Sequence, residues 1–349
     1  MGAAVSAGTL GRHLETVVRS GLPGAVAAAA VPGLSWEGAA GLADVQSGAP
    51  LTPDHRFRVG SVMKLFTATV VLKLVEEGAL ALDQDAGPIA PGITIRQLLN
   101  HTSGLPDIIE DLAAFFEPYR QDPAHRWEIG PCELLALVHQ KPRLFPPGEG
   151  WEYHGSNYLA LGLLVEETTG ATLREELKRR IFDPLELAAT DLPPEPLAPG
   201  LARGYLLPDN ELIPATDIVD ATELDLPFNW AGGGVVSTGR DLARFLQALL
   251  GGELLAPHLR AEMLRTVPSD WEETDAYGLG IGKVSSLMGK VASPCGSAWG
   301  HIGFSPGYTA IALGSESGDR RVVVLANVVG LSDESWEALG RLVWASYCA

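Results

Sequence analysis

Strand-like segments stand at the two ends of this 349-residue chain, and helical patterns fill its middle. Residues 24–31 and 34–42 are predicted to be strands joined by a Pro-Gly turn, with a further strand at 55–59. Strand patterns return only near the C-terminus, in AYGLGIGKV, SAWGHIG, GYTAIALGSE and RRVVVLANVVG, the last two joined by a Ser-Gly-Asp turn. A sheet that takes strands from both ends requires the middle of the chain to be an insertion.

The middle of the chain is predicted to be mainly helical. Apolar residues change to a helical spacing at Ser61, and this first helix ends at Gly78. Further helical segments follow, broken by Pro and Gly. We therefore expect a discontinuous α/β domain of residues 1–80 and 275–349 and a mainly helical domain of residues 81–274. A small-molecule site commonly lies in the cleft between two such domains.

The charge and the apolar runs bear on possible partners. The formal net charge is −18 at pH 7, and no basic stripe occurs, so nucleic acid is not an expected partner. The apolar run at 25–31 is too short to span a bilayer, so no membrane partner is expected and the run is predicted to be a buried strand. The oligomeric state is left open by the sequence.

The cysteines and the N-terminal segment bear on the cellular compartment. Cys132, Cys295 and Cys348 are far apart and odd in number, which predicts neither a disulfide framework nor a metal site. The segment MGAAVSAGTLGRHLETVVRSG lacks a basic region followed by an apolar core, so no signal peptide is predicted. A cytoplasmic protein is the expectation.

The segment GSVMK at 60–64 contains the single Ser-x-x-Lys of the chain. Ser61 begins a helix, and Lys64 lies three residues later, so both side chains project from the same face. Partial burial or a neighbouring cation would lower the pKa of the Lys64 amine and allow it to activate the serine. The alternative is a helix-capping serine followed by an exposed lysine.

A rival nucleophile is Ser305 in GFSPG at 303–307, which matches the G-x-S-x-G pattern of α/β-hydrolases. That pattern requires a helix after the serine and a histidine later in the chain. Here a strand-like segment follows, and His301 is the last histidine, so Ser305 is predicted to be a turn residue at a strand end.

Other polar or glycine-rich segments carry weaker signals. His101 and Ser103 are predicted to stop a helix and to bond with nearby backbone groups. The AGGG of residues 231–234 lacks the lysine of a phosphate-binding loop, and YGLGIG lacks the helix of a dinucleotide site. Neither HExxH nor CxxC occurs, so no metal and no cofactor are expected.

Five segments, taken together and in order, resemble the serine β-lactamase-like hydrolases: RFRVGSVMKLFTATVVLKLVEEGALALD, ITIRQLLNHTSGLPD, PGEGWEYHGSNYLALGLLVEETTG, AGGGVVSTGRDLARFLQALLGG and WGHIGFSPGY. The branch that they resemble contains class C β-lactamases, D-alanyl-D-alanine carboxypeptidases and related esterases. The resemblance implies a β-lactamase/transpeptidase-like fold, that is, an α/β domain with an antiparallel sheet flanked by helices and an all-helical lobe as an insertion.

The resemblance also implies a catalytic set. Ser61 would attack a carbonyl and form an acyl-enzyme, while Lys64 and Tyr153 would share the roles of general base and general acid. A phenol beside an ammonium is expected to have a lowered pKa. The family's Lys/His-x-Gly triplet is met by His301 and Gly303, and His301 would hold the leaving group or a substrate carboxylate.

The resemblance assigns the remaining site positions as follows. The backbone N–H groups of Ser61 and Phe304 would form the oxyanion hole. His154 is a candidate substrate contact. The family usually has an asparagine two residues after the tyrosine, where this chain has Gly155, so a carboxamide that grips peptide or lactam substrates is missing. Asn157 is expected to be a helix cap.

Function is therefore predicted as a serine hydrolase acting on a small-molecule ester or amide. The alternatives are an acyltransferase in small-molecule biosynthesis and a D-alanyl-D-alanine carboxypeptidase or β-lactamase. A binding protein without catalysis is a further alternative, against which the presence of Ser61, Lys64 and Tyr153 argues.

Overall fold

The computed structural model describes most of the chain, namely residues 5–108, 112–122, 125–193, 198–208, 212–213, 215–224, 227–271 and 273–349. Its α-helices are α1 (Ala7–Arg19), α2 (Met63–Glu76), α3 (Ile95–Leu99), α4 (Leu112–Gln121), α5 (Pro131–His139), α6 (Gly155–Thr169), α7 (Leu173–Leu177), α8 (Trp230–Gly233), α9 (Gly239–Leu250), α10 (Pro257–Met263) and α11 (Asp333–Tyr347). Short 3-10 turns span Gly60–Val62, Gly87–Ile89 and Pro227–Asn229, and a π-helical turn spans Lys178–Phe182.

The strands are β1 (Gly24–Val31), β2 (Leu34–Asp44), β3 (Ala49–Pro50), β4 (Phe57–Arg58), β5 (Tyr205–Leu206), β6 (Val219–Asp220), β7 (Val236–Ser237), β8 (Val267–Pro268), β9 (Ala276–Tyr277), β10 (Gly282–Val284), β11 (Ser286–Leu287), β12 (Val291–Ala292), β13 (Ala298–Ser305), β14 (Tyr308–Gly314), β15 (Arg321–Ala326) and β16 (Val328–Val329).

One antiparallel sheet joins the two ends of the chain. Within the described residues its nine strands run in the order β3-β2-β1-β15-β14-β13-β10-β9-β8. The join is the pairing of β1 with β15, in which Val26 faces Leu325 and Ala28 faces Val323. The expectation that the middle of the chain forms an insertion into a sheet built from both ends is confirmed.

The central strands of the sheet are buried on both faces. On one face Val26 and Leu325 belong to a large apolar core with α2, α6 and α9. On the other face Ala27 and Val324 pack in a second core with α1 and α11. Because β1, β14 and β15 lie between the two cores, their residues are almost all apolar without alternation, and the prediction of a buried strand at 25–31 is confirmed.

Several element boundaries agree with the sequence, and one prediction is wrong. The helix after Ser61 ends at Glu76, and Gly78 follows with φ of 74°. AYGLGIGKV, predicted as one strand, is instead the hairpin of β9 and β10. Gly280 turns the chain with φ of 78° at a point where a Cβ would lie 2.7 Å from the Tyr158 hydroxyl. The division into domains at residues 80 and 275 stays a prediction.

The cysteine prediction is also wrong. Cys295 and Cys348 form a disulfide across 53 residues, with Cα atoms 5.8 Å apart. The bond links the loop before β13 to the C-terminal end of α11, two segments that meet because α11 packs on the sheet. Cys132 is a free, exposed thiol. In the part of the chain that the structure describes, no helix has the length and apolar character needed to cross a membrane.

Candidate active site

The structure brings Ser61 and Lys64 into contact at the start of α2. Ser61 lies in the 3-10 turn Gly60–Val62, and Lys64 lies in the first turn of the helix that follows. The Lys64 Nζ donates to the Ser61 Oγ at 3.0 Å and to the main-chain oxygen of Gly232, in α8, at 3.1 Å. The alternative of an exposed lysine is wrong, since only 3% of Lys64 is accessible.

Burial changes the protonation of Lys64. Loss of hydration disfavours the ammonium and lowers its pKa to about 7, although the negative charge of Asp107 acts in the opposite direction. A pKa near 7 leaves the neutral amine and the ammonium in comparable amounts at neutral pH. A neutral amine at hydrogen-bonding distance can accept the proton of the serine hydroxyl.

Tyr153 completes a compact group around the Lys64 amine. The Lys64 Nζ lies 4.8 Å from the centre of the Tyr153 ring, and the Tyr153 hydroxyl lies 3.5 Å from the His301 Nε2. The pKa of Tyr153 is raised well above its usual value, chiefly by burial and further by the charges of Glu273 and Asp107. The expected lowering of this pKa is wrong, because the effect of burial prevails over the Ser61 hydroxyl, which acts to lower it.

The edge of β13 lies directly against the turn that carries Ser61. A Cβ on Gly60 would fall 2.7 Å from the Phe304 nitrogen, and a Cβ on Gly303 would fall 2.9 Å from the Ser61 nitrogen and 2.1 Å from the Val59 oxygen. Two glycines therefore permit the backbones to touch. This contact brings the nitrogens of Ser61 and Phe304 close together, as an oxyanion hole formed by these two groups requires.

His301 is fully buried in β13 and is already bonded on both nitrogens. Its Nδ1 lies 2.5 Å from the main-chain oxygen of Ile302, and its Nε2 lies 3.0 Å from the Tyr277 hydroxyl and 3.5 Å from the Tyr153 hydroxyl. Burial lowers the pKa of His301 to about 3, so the imidazole is neutral. A neutral imidazole offers a substrate carboxylate no opposite charge.

Hydrogen bonds join the start of α6 to the loop that contains His101. Asn157 donates from Nδ2 to His101 Nδ1 at 3.0 Å and accepts at Oδ1 from Ser103 at 2.5 Å. The Ser103 hydroxyl also accepts from the Leu105 nitrogen, as its sequence context predicts. The helix is capped by His154 without any side-chain bond, so the interpretation of Asn157 as a cap is wrong.

The two residues after Tyr153 lie beside Asp107. The His154 Nδ1 is 3.6 Å from an Asp107 carboxylate oxygen. Gly155 is helical, and a Cβ built on it would meet Asp107 and Ile108 only at ordinary contact distances. A substrate contact at His154 or Gly155 stays a prediction.

The rival nucleophile Ser305 lies buried at the end of β13, and the strand β14 follows it, as predicted for a turn residue.

Several site residues were not found from the sequence. Trp271 stacks on Tyr153 with ring centres 4.1 Å apart, and Tyr277 bonds to His301. Glu273 is buried and influences the Tyr153 phenol, and Asp107 influences both that phenol and Lys64. Three of these residues lie within 271–277, more than a hundred positions after Tyr153, and no local pattern marks them. Asp107 ends the segment ITIRQLLNHTSGLPD, which indicated the family resemblance but no role for this carboxylate.

Comparisons with known proteins show the family of this chain. The family model described as Beta-lactamase matches residues 10–343. Penicillin-binding protein 4* of Bacillus subtilis (strain 168) is 27% identical over 335 residues, which cover 90% of this chain and 71% of that protein. Esterase EstB of Burkholderia gladioli is 28% identical over 298 residues, which cover 76% of each chain.

The fold has a close counterpart among solved structures. A D-stereospecific amidohydrolase from Streptomyces sp. superposes with a TM-score of 0.82 at 30% identity, over 95% of this chain and 98% of that one. The family match extends over nearly the whole sequence and includes every residue of the group around Ser61. The chain therefore belongs to the beta-lactamase family of serine hydrolases.

Proposed function

We propose that this protein hydrolyses small esters or amides through an acyl-enzyme on Ser61. The observation that carries the proposal is the 3.0 Å hydrogen bond between the Ser61 hydroxyl and a buried lysine whose pKa is lowered to about 7. Similarity to an esterase and to a D-stereospecific amidohydrolase supports esters and amides as the substrate class.

Acylation begins with transfer of the Ser61 proton to Lys64. The Ser61 Oγ forms a bond to the carbonyl carbon, and the carbonyl oxygen takes up negative charge between the N–H groups of Ser61 and Phe304. Because the Tyr153 pKa is raised, its phenol keeps its proton and serves as a donor rather than as a base. The C–O or C–N bond then breaks, and the leaving group takes a proton from the Tyr153–Lys64 pair.

Deacylation repeats these steps with water as the nucleophile. Water transfers a proton to the neutral Lys64 and attacks the acyl carbon, and the Ser61 Oγ recovers a proton as the acid is released. The neutral state of His301 and the absence of a carboxamide at Gly155 both argue against carboxylate-bearing lactams and cell-wall peptides as preferred substrates.

The test is a panel of p-nitrophenyl esters, D-amino-acid amides and nitrocefin, with the wild-type protein beside Ser61→Ala. We expect turnover of esters or amides by the wild type and a loss of about 10³-fold or more in kcat for Ser61→Ala. Equal turnover of the esters by both proteins would reject Ser61 as the nucleophile. Adding amines and alcohols to the same assay tests the alternative of an acyltransferase, which predicts acylated acceptors in place of the free acid.

A cytoplasmic location stays a prediction that rests on the N-terminal sequence. The Cys295–Cys348 disulfide argues for an oxidising compartment, because cytosolic thiols are normally kept reduced. Mass measurement of the protein alkylated at the moment of cell lysis distinguishes the two, since an intact disulfide leaves one thiol to be modified and a reduced chain leaves all three.

A further inference from the structure

We propose that Asp107 selects acyl donors that carry an ammonium group next to the reacting carbonyl. This inference rests on the proposed acyl transfer at Ser61 and specifies its substrate class. It assigns to Asp107 the role of a specificity-determining residue on the acyl side of the site, where Gly155 leaves room for the ammonium.

The first observation is the position of the Asp107 carboxylate at the start of α6. A Cβ on Gly155 would lie 3.9 Å from the Asp107 Oδ1 and 3.8 Å from the Ile108 Cδ1, so this carboxylate borders the space that an asparagine side chain at 155 would enter. The Oδ1 accepts from the Ile108 nitrogen at 2.7 Å, which fixes the carboxylate. The side chain of Asp107 is 38% accessible, so a ligand can reach it.

The second observation connects Asp107 with the reacting groups. Its negative charge raises the pKa of Lys64 and also that of Tyr153, so the carboxylate lies within electrostatic range of both. Glu273 acts on Tyr153 in the same direction. The two carboxylates therefore add negative charge beside Ser61, where the cations are Lys64, when protonated, and Lys141, whose Nζ donates to the main-chain oxygen of Asp107 at 3.1 Å. Carboxylates so placed attract cationic substrates and repel anionic ones.

The third observation is the lack of a compensating cation at the position where the family pattern places a lysine or histidine. His301 is neutral, and its two nitrogens are bonded to Ile302 and Tyr277. His154 lies 3.6 Å from Asp107, and this contact is an ion pair only when the imidazole is protonated. The arrangement therefore favours an ammonium on the acyl side over a carboxylate on the leaving side.

The experiment compares two p-nitroanilides of nearly equal shape. Alanine p-nitroanilide carries an ammonium, and isobutyric acid p-nitroanilide has a methyl group in its place. The measured quantity is the ratio of kcat/KM for the two substrates at pH about 7, where most of an α-amino group is protonated. Both alanine enantiomers are assayed. We expect the wild-type ratio to be about tenfold or more for at least one enantiomer, as a charged hydrogen bond would give.

The decisive variant is Asp107→Asn, which keeps the shape and removes the charge. We expect the ratio to fall by about tenfold, and Asp107→Glu to retain more of it than Asp107→Asn. Because both substrates use the same Ser61 and Lys64, any change that the variant causes in the Lys64 pKa cancels in the ratio. Asp333→Asn is the matched control, since Asp333 is an exposed carboxylate on α11 that pairs with Lys290.

A second variant covers the case in which Asp107→Asn does not fold. Gly155→Asn fills the space beside Asp107 and is expected to lower the ratio as well. A wild-type ratio near one, or a ratio that neither variant changes, would overturn the inference while leaving Ser61 chemistry intact. Isobutyric acid p-nitroanilide hydrolysed equally by Ser61→Ala and the wild type would instead reject the proposed function itself.

Discussion

Among single residues, the proposed acylation of Ser61 depends on which neighbouring group holds the proton. Lys64 and Tyr153 were both predicted as acid-base residues, and their pKa values move in opposite directions on burial. Burial disfavours the charged form of each, so the amine loses its proton more readily and the phenol keeps it. In the proposed mechanism the amine is therefore the base and the phenol the donor, two roles that the sequence could only assign jointly.

The protonation of Lys64 predicts the pH dependence of the reaction. Below a pKa of about 7 the ammonium cannot accept the Ser61 proton, so kcat/KM for a neutral ester should fall about tenfold per pH unit on the acid side and level off above it. The check is a pH–rate profile from about pH 5 to 9 with a non-ionising ester.

Two variants test whether the acid limb of this pH–rate profile reports the pKa of Lys64. Lys290→Met removes a lysine that pairs with Asp333 far from Ser61 and should leave the profile unchanged. Asp107→Asn should move the acid limb to lower pH, because the Asp107 charge raises the Lys64 pKa. A profile that rises only near the pKa of a free lysine, roughly 10.4, would contradict a buried neutral base.

The site residues that could be predicted are those that lie together in a short sequence pattern. Ser61 and Lys64 stand three apart on one helix face, and Tyr153 and Gly155 lie in a single quoted segment. Tyr277 reaches the site because β9 pairs with β10, which pairs with β13, and Trp271 lies in the segment just before β9. Tertiary packing places these two side chains in the site, and no local sequence pattern indicates it.

Among the elements, the contact between the Ser61 turn and β13 sets the positions of the two N–H groups that we propose as the oxyanion hole. Gly303→Ala places a Cβ 2.1 Å from the Val59 oxygen, so the two backbones must separate. We expect kcat/KM to fall by about 10²-fold or more, because a displaced N–H no longer stabilises the oxyanion. The melting temperature should fall as well. Ester kinetics and thermal unfolding measure both effects.

The matched control is Gly11→Ala in α1, where a Cβ would meet nothing within 4 Å. A helical Gly-to-Ala change at such a position should retain activity and stabilise the fold by about 0.5–1 kcal/mol. If Gly303→Ala behaved like this control, the close contact of β13 with the Ser61 turn would not be needed for catalysis.

For the whole molecule, a sheet built from both chain ends could be predicted from the strand patterns, and the disulfide could not. Continuous apolar strands such as β1 and β15 predict a sheet that is covered on both faces. Cys295 and Cys348 meet only after α11 has packed against that sheet, so a separation of 53 residues gave no sign of their pairing.

The disulfide should stabilise the folded chain without affecting the site. Replacing Cys295 and Cys348 together by serine should lower the free energy of unfolding by roughly 2–4 kcal/mol, because the unfolded chain is no longer cross-linked. Urea unfolding measures this change. Cys132→Ser, at the exposed free thiol, is the control. Equal stability of the double variant and the wild type would contradict a formed disulfide.

In the proposed mechanism Ser61 carries the acyl group during turnover. The most direct measurement is mass spectrometry of the protein quenched with acid during hydrolysis of a p-nitrophenyl ester, followed by peptide mapping. The account predicts a mass increase equal to the acyl group, located on the peptide that contains Ser61 and absent from Ser61→Ala. An acyl adduct on any other residue, with the Ser61 peptide unmodified while the ester is being hydrolysed, would contradict it.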